Sequence, residues 1–373
     1  MAALLLETDL ADGVFPTTPG EPATRDARGL TYPHPVPPEF GEAIQVAPGV
    51  LWMRLSMPLS LNHINVYAVE DGDGWVLVDT GLNLPDTRAR WDALLAGPLG
   101  GRPVTRVICT HMHPDHIGLA GWLCERLDAP LVMTRVEYVT GRMLLADTGQ
   151  PAPQAAVEFY HAAGWDETQL DGYRREFGQF GRAVSPMPAG YIRMREGDRI
   201  PNGGQDWLVV VGEGHSPEHA CLWREADGVV LGGDQILPRI SSNVSVWPTE
   251  PHADPLGDWL ASLERMKTVF PDEVLVLPSH GEPFHGVQAR LDALIRGHMA
   301  GLTRLERALK TPKRAVDVFP ALFARPVGDG VRGMATGESV AHLNYLTQRG
   351  RARRTEDADG VHWWTATRKR KPA

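Results

Sequence analysis

The chain has 373 residues, 43% of them hydrophobic and 22% charged, with a formal net charge of −9. That is the composition of a folded globular protein, and no apolar run approaches the roughly 20 residues a helix needs to span a bilayer, which excludes a bundle of membrane-spanning helices. Three cysteines, Cys109, Cys124 and Cys221, form no CxxC pair, which excludes a disulfide scaffold and points to a reducing compartment.

The opening "MAALLLETDLADG" lacks a basic flank and turns acidic, so it reads as a poor secretory signal and a cytoplasmic location is expected. Residues 1–40, rich in Pro, Gly, Thr and Asp, read as an irregular arm. "GEAIQVAPGVLWMRLS" and "NHINVYAVEDGDGWVLVDTG" are strand-like, and "EDGDG" in the second is a hairpin signal. "DTRARWDALLAGPLG" reads as an amphipathic helix closed by glycine. "PVTRVICT" is a buried strand, "HIGLAGWLCERLDAP" the next helix, and "PLVMT" a short strand.

Residues 135–190 carry helical pieces and many aromatics, among them Tyr138, Phe159, Tyr160, Trp165, Tyr173, Phe177 and Phe180. Most of these are expected to form a small helical core, the alternative being a lid whose aromatics line a pocket. Strand patterns return in "DRIPNGGQDWLVVVGEGHS", "HACLWREADGVVLGGDQIL" and "DEVLVLPSHG". Two sets of hairpins, each followed by strand–helix units, predict an α/β protein with two sheets and helices outside. In the last part, "VQARLDALIRGHMAGLTRLERALK" is a long amphipathic helix, and "ESVAHLNYLTQRGRARRTEDADGVHWWTA" reads as helix, strand, turn and strand. Residues 286–373 hold 17 Lys+Arg against 8 Asp+Glu, whereas the rest holds 20 against 38. The acidic body argues against broad nucleic-acid binding, and the basic end keeps it open for one part.

The chemistry concentrates in "THMHPDH", residues 110–116, where His111, His113, Asp115 and His116 follow an apolar strand. Asp79 in "VLVDTG", His215 in "VVVGEGHS", Asp234 in "VVLGGDQ" and His280 in "VLVLPSHG" share that placement. Side chains just past strand ends converge on one rim of an α/β sheet. Imidazole with carboxylate suits zinc or iron rather than calcium or magnesium. Two metals with a water between them need about six or seven protein donors. His111, His113, Asp115, His116, His215, Asp234 and His280 supply that number. The bland alternative, a polar helix start with Asp115 near the helix dipole, leaves the later partners unexplained.

"THMHPDH", "GHSPEH", "GGD" and "PSHG", in this order, resemble the metallo-β-lactamase-fold hydrolase superfamily. The resemblance covers residues 45 to about 285. It implies a four-layer αβ/βα sandwich over residues 41–285, followed at 286–373 by a small helical, winged-helix-like domain. Carried over position by position, it places one metal on His111, His113 and His215. A second metal falls on Asp115, His116 and His280, with Asp234 bridging. Asp79 and His219 match supporting positions that orient ligands. Two zinc ions are implied, and the same ligands accommodate iron or a mixed pair.

The implied reaction is attack by a hydroxide held between the metals on the carbonyl of a small ester, thioester or lactone, with Asp115 taking or relaying the proton. A small-molecule substrate is therefore expected, without a membrane partner. The alternative is an endoribonuclease-like enzyme whose Arg349, Arg351, Arg353 and Arg354 hold nucleic acid. The bland reading of that basic module is docking on the acidic core or a homodimer contact. Asn243, in "LPRISSNVSVWP", is expected to line the pocket and donate a hydrogen bond to substrate. His63 is expected to border the pocket.

Overall fold

The computed structural model describes residues 26, 28–58, 61–202 and 204–367. Most of the expected N-terminal arm, and the basic run at 368–371, lie outside the described residues. Strands β1 (Ile44–Ala47), β2 (Val50–Ser56), β3 (His63–Asp71), β4 (Gly74–Val78), β5 (Val104–Ile108), β6 (Leu131–Met133) and β7 (Ile192–Arg193) form one sheet in sequential order. The first four pair antiparallel and the last four parallel. The chain connects β4 to β5 through α1 (Pro85–Ala96), and β5 to β6 through α2 (Pro114–Ile117) and α3 (Ala120–Leu127). The long insertion before β7 carries α4 (Arg135–Ala146), α5 (Gln154–Ala162), α6 (Glu167–Glu176) and α7 (Phe180–Ala183).

The second sheet runs β12-β11-β10-β9-β8, built from β8 (Arg199–Asn202), β9 (Gln205–Gly212), β10 (His219–Arg224), β11 (Val229–Gly233) and β12 (Leu275–Pro278). Helix α8 (Pro255–Val269) links β11 to β12. After β12 come α9 (Val287–Ala308), α10 (Phe319–Leu322), α11 (Arg332–Gln348) and the hairpin of β13 (Ala352–Glu356) with β14 (His362–Ala366).

The two-residue period of a strand explains the layering. In β2, Val50 and Trp52 enter a cluster with Trp207, Val209 and Leu231 of the second sheet, which glues the sheets face to face. Met53 and Leu55, one residue out of phase, pack outward with Trp91 and Leu94 of α1 and Leu123 of α3. The run "VVV" behaves likewise, Val209 facing the other sheet and Val210 facing Trp259 and Leu263 of α8. Strands buried on both faces need such unbroken apolar runs. The order is helix, sheet, sheet, helix, the expected α/β sandwich.

The C-terminal part adds to the second helical layer. Leu302 and Leu305 of α9, Leu322 of α10, Ala341 and Leu343 of α11 and Trp364 of β14 belong to the same buried cluster as Val230 and Trp259. The inserted helices α5 and α6 close on Tyr160, whose ring lies 4.5 Å from Trp165 and 4.7 Å from Tyr173. Trp165 Nε1 donates to Thr336 Oγ1 of α11 at 2.9 Å, and Val316 N donates to Ala163 O at 3.2 Å. The insertion is thus bolted to the C-terminal part. No helix among the described residues is long and apolar enough to cross a membrane.

Candidate metal centre

Strand direction brings the ligand-type residues together. β9 and β11 are each antiparallel to β10, and β12 is parallel to β11, so these three end at one edge. His215, Asp234 and His280 follow those ends. In the other sheet β4 and β5 are parallel, and Asp79 and the 110–116 stretch follow them. Pro114 opens α2 at its first turn, where a missing N–H costs nothing, and His113 precedes it in extended backbone. The chain therefore turns within one residue, and donors on both sides of Pro114 face inward.

All seven residues are buried, none more than 8% exposed. They fall into two groups, His111, His113, His215 and Asp234, and Asp115, His116 and His280, within each of which the donor atoms lie inside 4.8 Å of one another. Asp234 reaches both. Its Oδ1 is 3.5 Å from His116 Nε2 and 3.3 Å from His280 Nε2, while Oδ2 is 3.2 Å from His215 Nε2.

The far nitrogen of each of four rings is already occupied. His116 Nδ1 lies 2.8 Å from Asp79 Oδ2, His215 Nδ1 2.8 Å from Asn243 O, and His280 Nδ1 2.7 Å from His63 O. His111 Nδ1 lies 3.1 Å from Thr110 Oγ1, whose proton is taken by Asp79. Acceptors at Nδ1 fix the proton there and leave the Nε2 lone pair pointing into the site.

Two observations test whether this set fits cations. His116 Nε2 is buried and makes no hydrogen bond. The electrostatics also ask for positive charge. Burial and neighbouring imidazoles hold His111 well below the usual histidine range, which keeps it a neutral donor. Burial opposes charge on His116 too, yet Asp79, Asp234 and Asp115 together raise it well above that range. Burial likewise opposes ionisation of Asp234, and His280 and His116 outweigh it, so the carboxylate stays charged. A neutral His111, an ionised Asp234, and on His116 an orphaned inward nitrogen surrounded by carboxylates fit transition-metal ions.

The family model described as "Metallo-beta-lactamase superfamily" matches residues 59–280, which contain every one of these residues. The chain belongs to the metallo-beta-lactamase superfamily. A second family model, "Metallo-beta-lactamase-like, C-terminal domain", matches residues 302–367. Among solved structures, a beta-lactamase domain protein from Burkholderia ambifaria is 40% identical, with TM-score 0.84, covering 91% of this chain and 98% of that one. A metallo-beta-lactamase family protein from Thermus thermophilus is 26% identical, with TM-score 0.74, covering 87% and 100%. Among curated relatives, the probable metallo-hydrolase YqjP of Bacillus subtilis is 26% identical over 80% of this chain and 92% of its own length. An atrochrysone carboxyl ACP thioesterase of Aspergillus fumigatus is 22% identical over 74% of this chain and 48% of its own. The chain is accordingly a metal-dependent hydrolase of this superfamily.

As in any such site, residues outside the ligand set hold it in shape, and most of them carry no sequence signature. His219 Nε2 accepts from Asp234 N at 3.0 Å. Gly233 must be glycine, because φ is +51° and a Cβ would sit 2.5 Å from the His219 ring. On β3 the alternate residues His63, Asn65 and Tyr67 share one face and clamp the loop before and after His280. Asn65 Nδ2 donates to Pro278 O and Gly281 O, both at 2.8 Å, and Tyr67 donates to Pro278 O at 2.8 Å. His63 Nε2 accepts from Gly281 N at 2.9 Å, and burial beside Arg54 pulls its pKa down to about 2, which keeps it an acceptor. His63 thus works on the ligand loop rather than among the residues lining the cleft.

Glu137 of α4 was invisible in sequence. Its Oε2 accepts from Met112 N at 2.9 Å and its Oε1 from Glu218 N at 2.7 Å, tying the first ligand stretch to the His215 loop. In Glu137→Gln an amide NH2 would confront one of those N–H donors. We expect a loss of about 2–3 kcal/mol in unfolding free energy, from leaving a buried donor unpaired. Urea denaturation of the metal-free protein measures it, and an unchanged midpoint would contradict the role.

The cleft above the ligands is lined by Leu61, Leu237 and Met334, with Ser242 and Asn243. The aromatics of the insertion are not among the residues lining it: Phe159, Tyr160, Trp165 and Tyr173 pack together, while Tyr138 and Phe180 join the cluster outside the first sheet. Asn243 lines the cleft as expected, and its side chain is also tied into the fold, with one of its two Nδ2 hydrogens taken up. Its Nδ2 donates to Glu338 Oε2 at 2.8 Å and its Oδ1 accepts from Ser245 Oγ at 2.6 Å.

Proposed function

We propose that the chain is a dinuclear zinc hydrolase acting on a small thioester, ester or lactone with an apolar acyl part. The observation that carries this reading is Asp234, whose two oxygens are divided between the two donor groups. Held by these residues, a pair of divalent cations would supply Lewis acidity and lower the pKa of bound water. The remaining work belongs to the chain. Asp234 keeps the two groups in register. Asp115 lines the cleft with its Oδ2 3.5 Å from His280 Nε2. Burial disfavours its charge, but His116 and His280 keep it ionised, so it is placed to accept a proton.

Leu61, Leu237 and Met334 offer the acyl group an apolar wall. Among the described residues no lysine or arginine lines the cleft, which favours a neutral reacting group over a phosphodiester. The basic end supports the same choice. Arg349 is paired with Asp254 at 2.7 Å and lies over Tyr345, and Arg351 makes two 2.7 Å bonds to Glu306. Two of the four arginines that would hold nucleic acid are therefore engaged within the fold. Thioesterase-named relatives favour the thioester within the proposed classes.

Metal analysis coupled to a substrate panel tests this. Two equivalents of zinc and turnover of short-chain acyl thioesters, esters or lactones are expected. Less than about one equivalent of any transition metal overturns the site assignment. Cleavage of RNA without turnover of any acyl substrate overturns the substrate class.

A further inference from the structure

Helix α11 lies far from the ligands in sequence and directly behind them in space. Met334 reaches the cleft wall. One turn on, Gly337 lies against the 241–246 segment so closely that a Cβ would come within 2.8 Å of Ser245 Cβ and Val246 O. Val246 N donates to Gly337 O at 3.0 Å. The next residue, Glu338, is 1% exposed and accepts from the Asn243 amide. The carbonyl of that same Asn243 fixes the proton on His215 Nδ1. We propose that Glu338 is a positioning residue of the metal centre, holding through Asn243 the carbonyl that aims His215, so that the C-terminal helix is an integral part of the site.

The chemistry at Glu338 suits a static tie. Burial pushes its carboxyl up to about 8, so it is mostly neutral at pH 7, and glutamine is a close substitute. His342, one turn further along α11, is pulled down to about 4 by burial and donates its Nδ1 proton to Glu338 O, so it brings no charge to the pair. The proposal rests on the reading of His215 as a metal ligand.

Zinc affinity of the full chain, measured by competition with a chromophoric chelator, tests it without recourse to turnover. Glu338→Ala is expected to weaken the His111–His113–His215 site by about 10–100-fold, the usual range for a lost ligand-orienting contact. Glu338→Gln, which keeps an acceptor for Asn243, should stay within about threefold of wild type. Leu343→Ala, a core truncation on the same helix, should lower the melting temperature and leave zinc affinity unchanged. Should Glu338→Ala not fold, Asn243→Ser, which retains the carbonyl but loses the amide, is expected to show the same weakening. Wild-type zinc affinity in Glu338→Ala or Asn243→Ser overturns the proposal, as does equal weakening in Leu343→Ala. If the unaltered chain binds no metal, it is the underlying site assignment that fails.

Discussion

Asp234→Ala is expected to lower turnover by about a thousandfold or more and to reduce bound metal from two equivalents to one or fewer. The side chain is the only carboxylate whose two oxygens address both donor groups among the described residues. It is also held from three sides, by His219 on its amide, by Ser242 on its carbonyl and by Ser279 on Oδ1. Alanine removes the carboxylate that addresses both donor groups, and with it one negative charge from a buried cage of imidazoles. A loss of about 4 kcal/mol in transition-state stabilisation corresponds to that thousandfold factor. Asp234→Asn keeps the shape and loses the charge, so a similar defect there assigns the effect to charge and coordination rather than to a hole. Metal content by emission spectroscopy and steady-state kinetics read both. Turnover within tenfold of wild type in Asp234→Ala would sink the dinuclear reading.

The second large effect belongs to a residue that touches no metal. Asp79→Asn is expected to cost about 10²–10³-fold in kcat/KM and to empty selectively the group formed by Asp115, His116 and His280. Asp79 accepts three bonds, from Thr110 N at 2.8 Å, Thr110 Oγ1 at 2.9 Å and His116 Nδ1 at 2.8 Å. Its φ of +62° is one that asparagine tolerates, so the backbone survives the change. An amide accepts on one side only. If its NH2 turns to Thr110, two donors collide; if it turns to His116, the ring must accept at Nδ1 and carry its proton on Nε2. The nitrogen meant for coordination is then blocked, a tautomer error worth more than the missing charge. A metal titration that falls short of wild type by one equivalent, with a melting curve within a few degrees of wild type, would confirm it. Full metal loading and kcat/KM within threefold would contradict it.

These two residues were legible in sequence, and the reason is local. Asp79, the 110–116 stretch, His215, Asp234 and His280 each stand just past an apolar strand, and parallel strands bring such ends to one rim. The sheets were legible for the same reason, since alternation and the turns "EDGDG" and "EADG" are short-range signals. What stayed hidden is long-range. Glu137 meets Glu218 across 81 residues, Asn65 meets Pro278 across 213, and Glu338 meets Asn243 across 95. No local pattern marks a buried carboxyl or amide whose partner lies on a remote loop. Asn243 is the instructive case, because its position beside the cleft was readable and its engagement with α11 was not. The insertion teaches the same lesson, since its aromatic content was plain but the surface those rings would cover was not.

The seating of α11 has an evolutionary corollary. One helix contributes Met334 to the room available for an acyl chain, Gly337 to a contact that admits no side chain, and Glu338 to the aim of a ligand histidine. A small axial slide of that helix would alter substrate fit and metal grip in the same motion. Selection on what the enzyme accepts can therefore act on the C-terminal segment while every ligand stays untouched. It must act on residues 241–246 at the same time, so those two stretches are expected to change as a pair across relatives. A chimera exchanging only one of them is expected to bind metal more weakly even with all seven donor residues intact.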